Sequence, residues 1–291
     1  MGFRRPVPKL PGDRSKGRSR RCGVQVLRTV PVPISLSGTD LVLRGRPPMN
    51  ATAIAPATPA ANHLVTQSNR LIEAGHTLTL NEKRLVLACA AKLDPRKPLP
   101  PNGTVKLTAV DFATTFGIDR RDAYQALEEA SDRLYARSIK EIRHGTRGRI
   151  ERNIRWVWMS EYAPGEGYVT LGFSPDVVPY LTMLHKEFTT YELRNVGSLS
   201  SFYSIRLYEL CAQFRKTGFR EITLEKFRDM LDLNDKYSDV KNLRVRVVDP
   251  AVADINENTD LRISAQAMRK GRKVTGFRFD IEVENQQSLQ F

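Results

Sequence analysis

The sequence predicts an α+β chain of two tandem winged helix-turn-helix domains related by internal duplication, preceded by a disordered tail that is basic and rich in Pro and Ala. Three observations predict this fold. One pattern of apolar residues occurs twice, each copy is followed by two β-rich segments around a basic turn, and much of the positive charge lies in residues 1–48. With 291 residues, 41% of them apolar, the chain is long enough for two domains with ordinary cores.

The repeated unit is defined by the spacing of its apolar residues. Each copy has three of them at offsets of 0, 5 and 11: Leu107, Phe112 and Ile118, then Ile222, Phe227 and Leu233. After a turn that differs by two residues, a second set stands at offsets of 0, 3 and 10: Tyr124, Leu127 and Leu134, then Tyr237, Val240 and Val247. Self-similarity of this kind indicates one supersecondary unit used twice.

Each copy is predicted to contain a short strand, a helix, a turn and a second helix. The first helices should begin at Thr108 and Thr223, because a threonine hydroxyl can accept a hydrogen bond from an otherwise unpaired helix N–H. An amphipathic helix is expected before each copy. The first covers residues 80–93, with Thr79 and Glu82 placed as a capping box, and the second covers 201–215.

The β-rich segments complete the order of a winged helix-turn-helix domain, in which a hairpin called the wing follows the second helix. We expect strands at 138–143 and 150–162 around the basic turn 144–149, and at 259–268 and 274–284 around the basic turn 269–273. The first domain is then predicted to span 63–195 and the second 196–286, with a short tail at 287–291.

The tail at residues 1–62 is predicted to be disordered, because Arg, Ser and Gly give way to Pro-rich and then Ala- and Thr-rich sequence. Residues 1–48 hold 11 Lys and Arg against two acids, and so carry +9 of the net charge of +14. Met49 is a candidate for the true start, which would make residues 1–48 an upstream extension. The folded part must therefore show its partner by where its charges cluster.

Membrane and disulfide-rich classes are not expected. The longest apolar run, residues 85–91, is far short of the roughly 20 residues of a membrane-spanning helix. Three widely spaced cysteines favour a reducing compartment, so the expected location is the cytoplasm.

The last helix of the second copy, predicted at 238–256, is the candidate for reading DNA. Its cations Lys241, Arg244 and Arg246 lie in the N-terminal half, whereas Asp249 and Asp254 follow in the other half. A helix in the major groove contacts bases with its N-terminal residues. Arg can bind the O6 and N7 atoms of guanine, and Asn242 can pair with adenine. The alternative is a solvated helix face with ordinary ion pairs.

The wing of the second copy supports DNA binding. Four cations surround one glycine and are placed to contact phosphates or the minor groove: Arg269, Lys270, Arg272 and Lys273.

The corresponding helix of the first copy, predicted at 119–137, has five acids against four arginines. Acids such as Glu128 and Glu129 would be repelled by phosphate, so this helix is expected to form an interface instead. Arg147 and Arg149 of the hairpin turn are candidates for backbone contacts. Trp156 and Trp158 should share one strand face, with core packing expected before base stacking.

Enzyme classes find little support in the sequence. The four histidines form no close pair, the acids show no metal-ligand spacing, and no nucleophile elbow is present. We therefore expect no catalytic residue, no metal and no cofactor. A nicking or nucleotide-hydrolysing replication enzyme is kept as an alternative of another class.

Several motifs, in order along the chain, resemble the iteron-binding plasmid replication initiators. These are FSPDVVPYL at 173–181, FTTYEL at 188–193, YSIRLYEL at 203–210, VVDPA at 247–251, DIN at 254–256 and KGRK at 270–273. The resemblance covers residues 67–284. It implies two winged-helix domains without enzymatic activity, in a bacterial protein, with Lys241, Asn242, Arg244, Val245 and Arg246 on the base-reading helix.

The resemblance also implies function and partners. Such initiators bind directly repeated origin sites (iterons) in double-stranded DNA as monomers, help to open the duplex, and recruit the host initiator and the replicative helicase. As dimers joined through the first domain, they commonly repress their own gene at an inverted repeat. Many members have Lys-Arg-Arg where this chain has Arg244-Val245-Arg246, and Val245 either contacts a thymine methyl or packs. The alternative is a transcriptional regulator of the same fold without a replication role.

Overall fold

Two winged-helix domains follow one another in the computed structural model, which describes residues 64–284. The predictions for the tail at 1–62, for Met49 as a start and for residues 287–291 concern residues outside this range. Within residues 64–284, no helix is both long enough and apolar enough to cross a membrane.

Within the described residues, from 64 onwards, the first domain contains seven strands and five helices. Its strands are β1 (Leu64–Ser68), β2 (Thr104–Thr108), β3 (Ser138–Gly145), β4 (Gly148–Arg155), β5 (Val157–Ala163), β6 (Tyr168–Phe173) and β7 (Phe188–Glu192). Its helices are α1 (Asn69–Glu73), α2 (Leu80–Ala90), α3 (Ala109–Phe116), α4 (Arg120–Leu134) and α5 (Leu193–Gly197), with a 3₁₀ turn at Val178–Tyr180.

The second domain begins with the helix that follows α5. Its helices are α6 (Phe202–Ala212), α7 (Leu224–Met230), α8 (Val240–Leu243) and α9 (Asp249–Asn258), and a π-helical turn, Arg244–Val248, joins α8 to α9. Its strands are β8 (Phe219–Thr223), β9 (Leu261–Lys270) and β10 (Lys273–Val283), which form a sheet of order β8-β10-β9.

The helix starts are confirmed in atomic detail. At α2 the Thr79 hydroxyl accepts from the Glu82 amide at 3.2 Å while the Glu82 carboxylate accepts from the Thr79 amide at 2.9 Å, which is the predicted capping box. Thr108 and Thr223 cap α3 and α7 in the same way, by accepting from the third residue of each helix.

The wing of the first domain is not where the sequence placed it. Its sheet has the order β2-β6-β5, which corresponds to β8-β10-β9 in the second domain, so β5 and β6 occupy the wing position. The turn between them, residues 164–167, contains Glu166 and no cation. The segment predicted as the wing, β3 and β4, forms a separate two-stranded hairpin, which is joined to the rest of the domain by an isolated bridge between Lys140 and Gly75. The prediction failed because the strand at 168–173 was not included in the repeat.

Trp156 breaks the predicted strand at 150–162 into two. The chain between β4 and β5 enters the core at this residue, whose side chain is fully buried. Trp158 occupies a bulge between Val157 and Met159 and is 53% exposed, with its ring over Gly172. The prediction that Trp156 and Trp158 share one face was therefore wrong.

The repeat holds for the first helix of each unit but shifts in the second. Leu107, Phe112, Ile222 and Phe227 are all buried as the shared offsets predict. Tyr124, in contrast, is the fifth residue of α4, whereas Tyr237 precedes α8. When residues are counted from the start of each helix, α4 and the helix that begins at residue 240 bury matching positions. These are Ala123, Leu127 and Leu134 in α4, and Leu243, Val247 and Ile255 in the other helix. The last pair is displaced by one residue, which is the residue that a π turn adds.

Candidate nucleic-acid interface

The helix predicted to read DNA is a continuous helical segment of residues 240–258, made of α8, the π turn and α9, and is called the reading helix below. Asp239 caps it by accepting from the Lys241 amide at 3.2 Å. Its apolar residues Leu243, Val247, Val248 and Ile255 are buried. Because these residues fix the rotation of the helix, they also determine which side chains face solvent.

The exposed face of the reading helix brings together four of the predicted base-reading residues: Lys241, Asn242, Val245 and Arg246. They follow the spacing i, i+1, i+4, i+5, which places them on one side of a helix. Val245 is 58% exposed, so it is not packed in the core and its methyl groups are available to a partner. In the described part of the chain, neither Lys241 nor Arg246 forms an ion pair that would neutralise it.

Arg244 lies beside this face and has a partner within the helix. Its Nε donates to Asp249 Oδ1 at 3.1 Å, and its Nη2 lies 3.5 Å from the carbonyl oxygen of Ala265 on β9. The sequence placed Asp249 in a separate acidic half of the helix. In the structure the ion pair between Arg244 and Asp249 links the two halves, on the side of the reading helix that faces β9.

The wing of the second domain is a long hairpin with a short basic tip. Lys270 pairs with Lys273 across a two-residue turn in which Gly271 has φ +62°, a conformation that favours glycine. All four predicted cations are exposed at or beside this tip: Arg269, Lys270, Arg272 and Lys273. Gly276 lets β10 approach β8, because a Cβ there would lie 2.3 Å from the Ile222 carbonyl oxygen.

The equivalent helix of the first domain, α4, presents a mixed surface on which four acids and three arginines are exposed. Glu128 and Glu129 are exposed, and Glu129 accepts from Arg133 at 3.1 Å. The acids that argued against base reading therefore lie on the surface, where a phosphate backbone would meet them.

The hairpin of β3 and β4 carries Arg147 and Arg149. Arg147 is exposed in the turn, whereas Arg149 forms an ion pair with Asp229 of α7 at 3.3 Å. On the same side Lys140 binds Asp232 at 3.0 Å. The hairpin thus connects the two domains, and the structure gives Arg149 a protein partner in addition to any role on DNA.

A buried ionic cluster between the domains was missed by sequence reasoning, and is called the interdomain cluster below. Glu209 of α6 forms ion pairs with Lys83 of α2 at 2.8 Å and with Arg206 at 2.9 Å. All three side chains are at most 1% exposed. Arg206 also donates to the carbonyl oxygens of Ile72, Ala74 and Met230, which belong to both domains. The available signal was that charged residues interrupt the apolar sides of two helices that were read only for their apolar members.

Gln67 and Tyr191 complete the cluster. The Tyr191 hydroxyl donates to Glu209 at 2.7 Å and the Gln67 amide donates to the same oxygen at 3.0 Å. Burial opposes ionisation of Glu209, but the Lys83 and Arg206 cations outweigh it and lower its pKa to about 2. Burial lowers the pKa of Lys83 to about 8 against the opposing effect of Glu209. Both pKa values favour the charged forms of Glu209 and Lys83 at pH 7.

Comparison with known proteins identifies the family. The sequence model described as initiator replication protein, WH1, matches residues 64–212, and that described as initiator Rep protein, WH2, matches residues 223–281. A replication initiation protein of Escherichia coli is 30% identical over 233 residues, which are 78% of this chain and 72% of that protein. The PI protein of Escherichia coli is 27% identical over 73% of this chain and 81% of its own length.

A solved structure supports the same assignment. The crystal structure of Pi initiator protein in complex with iteron DNA matches with a TM-score of 0.65 and 25% identity, over 78% of this chain and 99% of the other. These matches confirm the resemblance and both winged-helix domains. The chain is a member of the initiator replication protein family, with its WH1 and WH2 domains in that order.

Proposed function

We propose that this protein is a plasmid replication initiator that binds directly repeated origin sequences in double-stranded DNA. The observation that carries the proposal is the exposed face of Lys241, Asn242, Val245 and Arg246, on a helix of the domain that also carries the cationic wing. A neighbour of the same fold, 25% identical, is described in complex with iteron DNA. Most base contacts in such domains come from the second helix of the unit, and the wing adds backbone contacts.

Each residue has a specific role in this proposal. Arg246 reads guanine through O6 and N7, Asn242 reads adenine, and Val245 contacts a thymine methyl group. Lys241, at the helix start, contacts a base edge or the adjoining phosphate. Arg269, Lys270, Arg272 and Lys273 neutralise phosphates, which sets affinity and its salt dependence rather than sequence preference. Arg147 and Arg149 of the inserted hairpin add auxiliary backbone contacts.

The further steps belong to the same proposal. The protein binds each iteron as a monomer, promotes opening of the origin, and brings in the host initiator and the replicative helicase. As a dimer through the first domain it represses its own gene at an inverted repeat. It acts in the bacterial cytoplasm by binding alone and catalyses no reaction.

Footprinting of the purified protein on the upstream region of its own plasmid tests the proposal. Protection of tandem repeats beside an AT-rich stretch is the expected result. Protection of a lone palindrome would favour the transcriptional regulator instead. Metal-dependent nicking or ATP turnover by the same preparation would show that the protein is an enzyme.

Replacement of Arg246 tests base reading. We expect Arg246→Ala to weaken binding to the cognate repeat by about 1–3 kcal/mol while sparing binding to unrelated duplex, because a bidentate guanine contact is lost. Arg246→Lys is the matched control, since it keeps the charge but not the planar pair of donors. Titration of both variants on both duplexes checks this. Equal loss on cognate and unrelated DNA would count against base reading at this position.

A further inference from the structure

Pro250 lies inside the continuous reading helix and explains its π turn. Proline lacks the N–H that would bond to the carbonyl four residues earlier, and its ring crowds that carbonyl. The residue before it, Asp249, is nonetheless helical, with φ −62° and ψ −43°. The widened turn Arg244–Val248 accommodates the proline, and the Asp249 amide bonds to the Arg244 carbonyl oxygen, five residues back.

The π turn changes which side chains meet. In an ordinary α-helix, residues three or four apart are neighbours, whereas side chains five residues apart can share a broad face but are too far around the helix to contact each other. Here the widened turn brings Arg244 and Asp249 together, with Nε at 3.1 Å from Oδ1. About half of each side chain remains exposed, so the pair lies at the surface beside the base-reading face.

The geometry leaves one edge of the Arg244 guanidinium for a ligand. Its Nε donates to Asp249 Oδ1, and Nη2, which belongs to both edges, lies 3.5 Å from the Ala265 carbonyl oxygen. The remaining Nη1–Nη2 edge has two parallel donors, which is the arrangement that binds O6 and N7 of guanine. An arginine held along one edge also has less rotamer entropy to lose when it binds.

We propose that Asp249 is a positioning residue for base recognition, which holds Arg244 through Nε so that its Nη1–Nη2 edge reads one guanine of the origin repeat. The assignment rests on the proposed function. It also explains why an acid is present beside a DNA-binding face, where its charge alone would oppose binding to phosphates.

The sign of the effect of Asp249→Ala distinguishes positioning from simple repulsion. Repulsion alone predicts that removal of the carboxylate tightens binding to every duplex. Positioning predicts that binding to the origin repeat weakens by roughly 5-fold or more, the lower range for one bidentate base contact, while binding to unrelated duplex is unchanged or tighter. Glu257→Gln, which removes an exposed charge from the same helix, is the control and should not weaken cognate binding.

The readout is binding to origin repeats in which each guanine in turn is replaced by 7-deazaguanine, which lacks N7. One replacement should weaken the native protein but not Arg244→Ala, and Asp249→Ala should lose most of its sensitivity at that same position. Asp249→Asn, whose Oδ1 still accepts from Nε, should keep part of it. An unchanged unfolding midpoint, together with binding to unrelated duplex that is no weaker than that of the native protein, shows that each variant is folded.

The outcomes separate this assignment from the proposed function. If Asp249→Ala or Asp249→Asn binds the repeat more tightly than the native protein, or Asp249→Ala keeps full sensitivity at that guanine, Asp249 does not position Arg244 although the protein still reads the origin. If no guanine depends on Arg244, the assignment is equally overturned. If the native protein does not prefer origin repeats to unrelated duplex, the proposed function fails and the assignment fails with it.

Discussion

Glu209→Gln is expected to lower the free energy of unfolding by about 3–5 kcal/mol, the largest stability effect that we predict for a single substitution. Glutamine keeps the shape of the side chain and can still accept hydrogen bonds. It cannot neutralise Lys83 and Arg206, which are both at most 1% exposed and have Glu209 as their acidic partner in the interdomain cluster. The cost arises because Arg206 loses its counter-charge in the interior, and because Lys83, whose pKa Glu209 raises against burial, must either stay as an unpaired cation or give up its proton.

Urea denaturation followed by circular dichroism measures this effect, and a matched control is available. Glu221 forms an ion pair with Arg278 at 2.9 Å, but both side chains are more than one third exposed. Glu221→Gln should therefore change the unfolding free energy by no more than about 1 kcal/mol. Similar losses of unfolding free energy in the two variants would show that the buried ion pairs of the interdomain cluster stabilise the protein no more than an exposed pair does.

The same carboxylate predicts an acid dependence. Its pKa in the folded protein, about 2, lies below the ordinary value of 4.5 because Lys83 and Arg206 outweigh burial, and Tyr191 also donates to it. Its contribution to stability is complete above pH 4.5 and is lost as the pH falls towards 2. The native protein should thus lose more stability across this window than Glu209→Gln does. If the unfolding free energies of the two proteins fell in parallel over this pH range, the lowered pKa could not be assigned to Glu209.

Neutralisation of the wing should have the largest effect on DNA binding. Each phosphate contact contributes about 0.9 to the slope of log affinity against log salt, so replacing Arg269, Lys270, Arg272 and Lys273 by Ala should reduce the slope by about 3.6. Between 50 and 200 mM salt, the affinity of the variant for DNA should therefore fall by a factor roughly 100 times smaller than that of the native protein. The loss should be similar on cognate and unrelated duplex, because phosphate contacts carry no sequence information.

A variant with the same net charge tests whether position matters. Four exposed cations outside the reading helix and the wing serve as the control: Arg96, Lys97, Lys186 and Lys216. Their replacement by Ala should leave the salt slope within error of the native value. If both quadruple variants reduced the slope equally, the wing would contribute only through overall charge.

Local signals in the sequence located most of the fold. Thr79, Thr108 and Thr223 predicted helix starts because a hydroxyl cap is a short-range interaction that needs no tertiary context. The clustering of Lys241 and Arg246 in the N-terminal half of the reading helix was likewise readable from the sequence, and both side chains are exposed there.

The errors have a common physical cause, since each depends on which groups meet in three dimensions. A strand pattern does not say which strand is its partner, so the hairpin of β3 and β4 was taken for a wing. The buried Lys83 and Glu209 lie far apart in sequence and become a pair only when the two domains pack. Pro250 was visible in the sequence, but its consequence, the pairing of Arg244 with Asp249, needed the helix geometry.

A crystal structure of the protein bound to one origin repeat would show which surface holds the duplex. We expect the reading helix to lie in the major groove, with Arg246 and Asn242 within hydrogen-bonding distance of base edges and Lys273 beside a phosphate. A complex in which these side chains point to solvent, with the duplex held by another surface, would contradict this expectation.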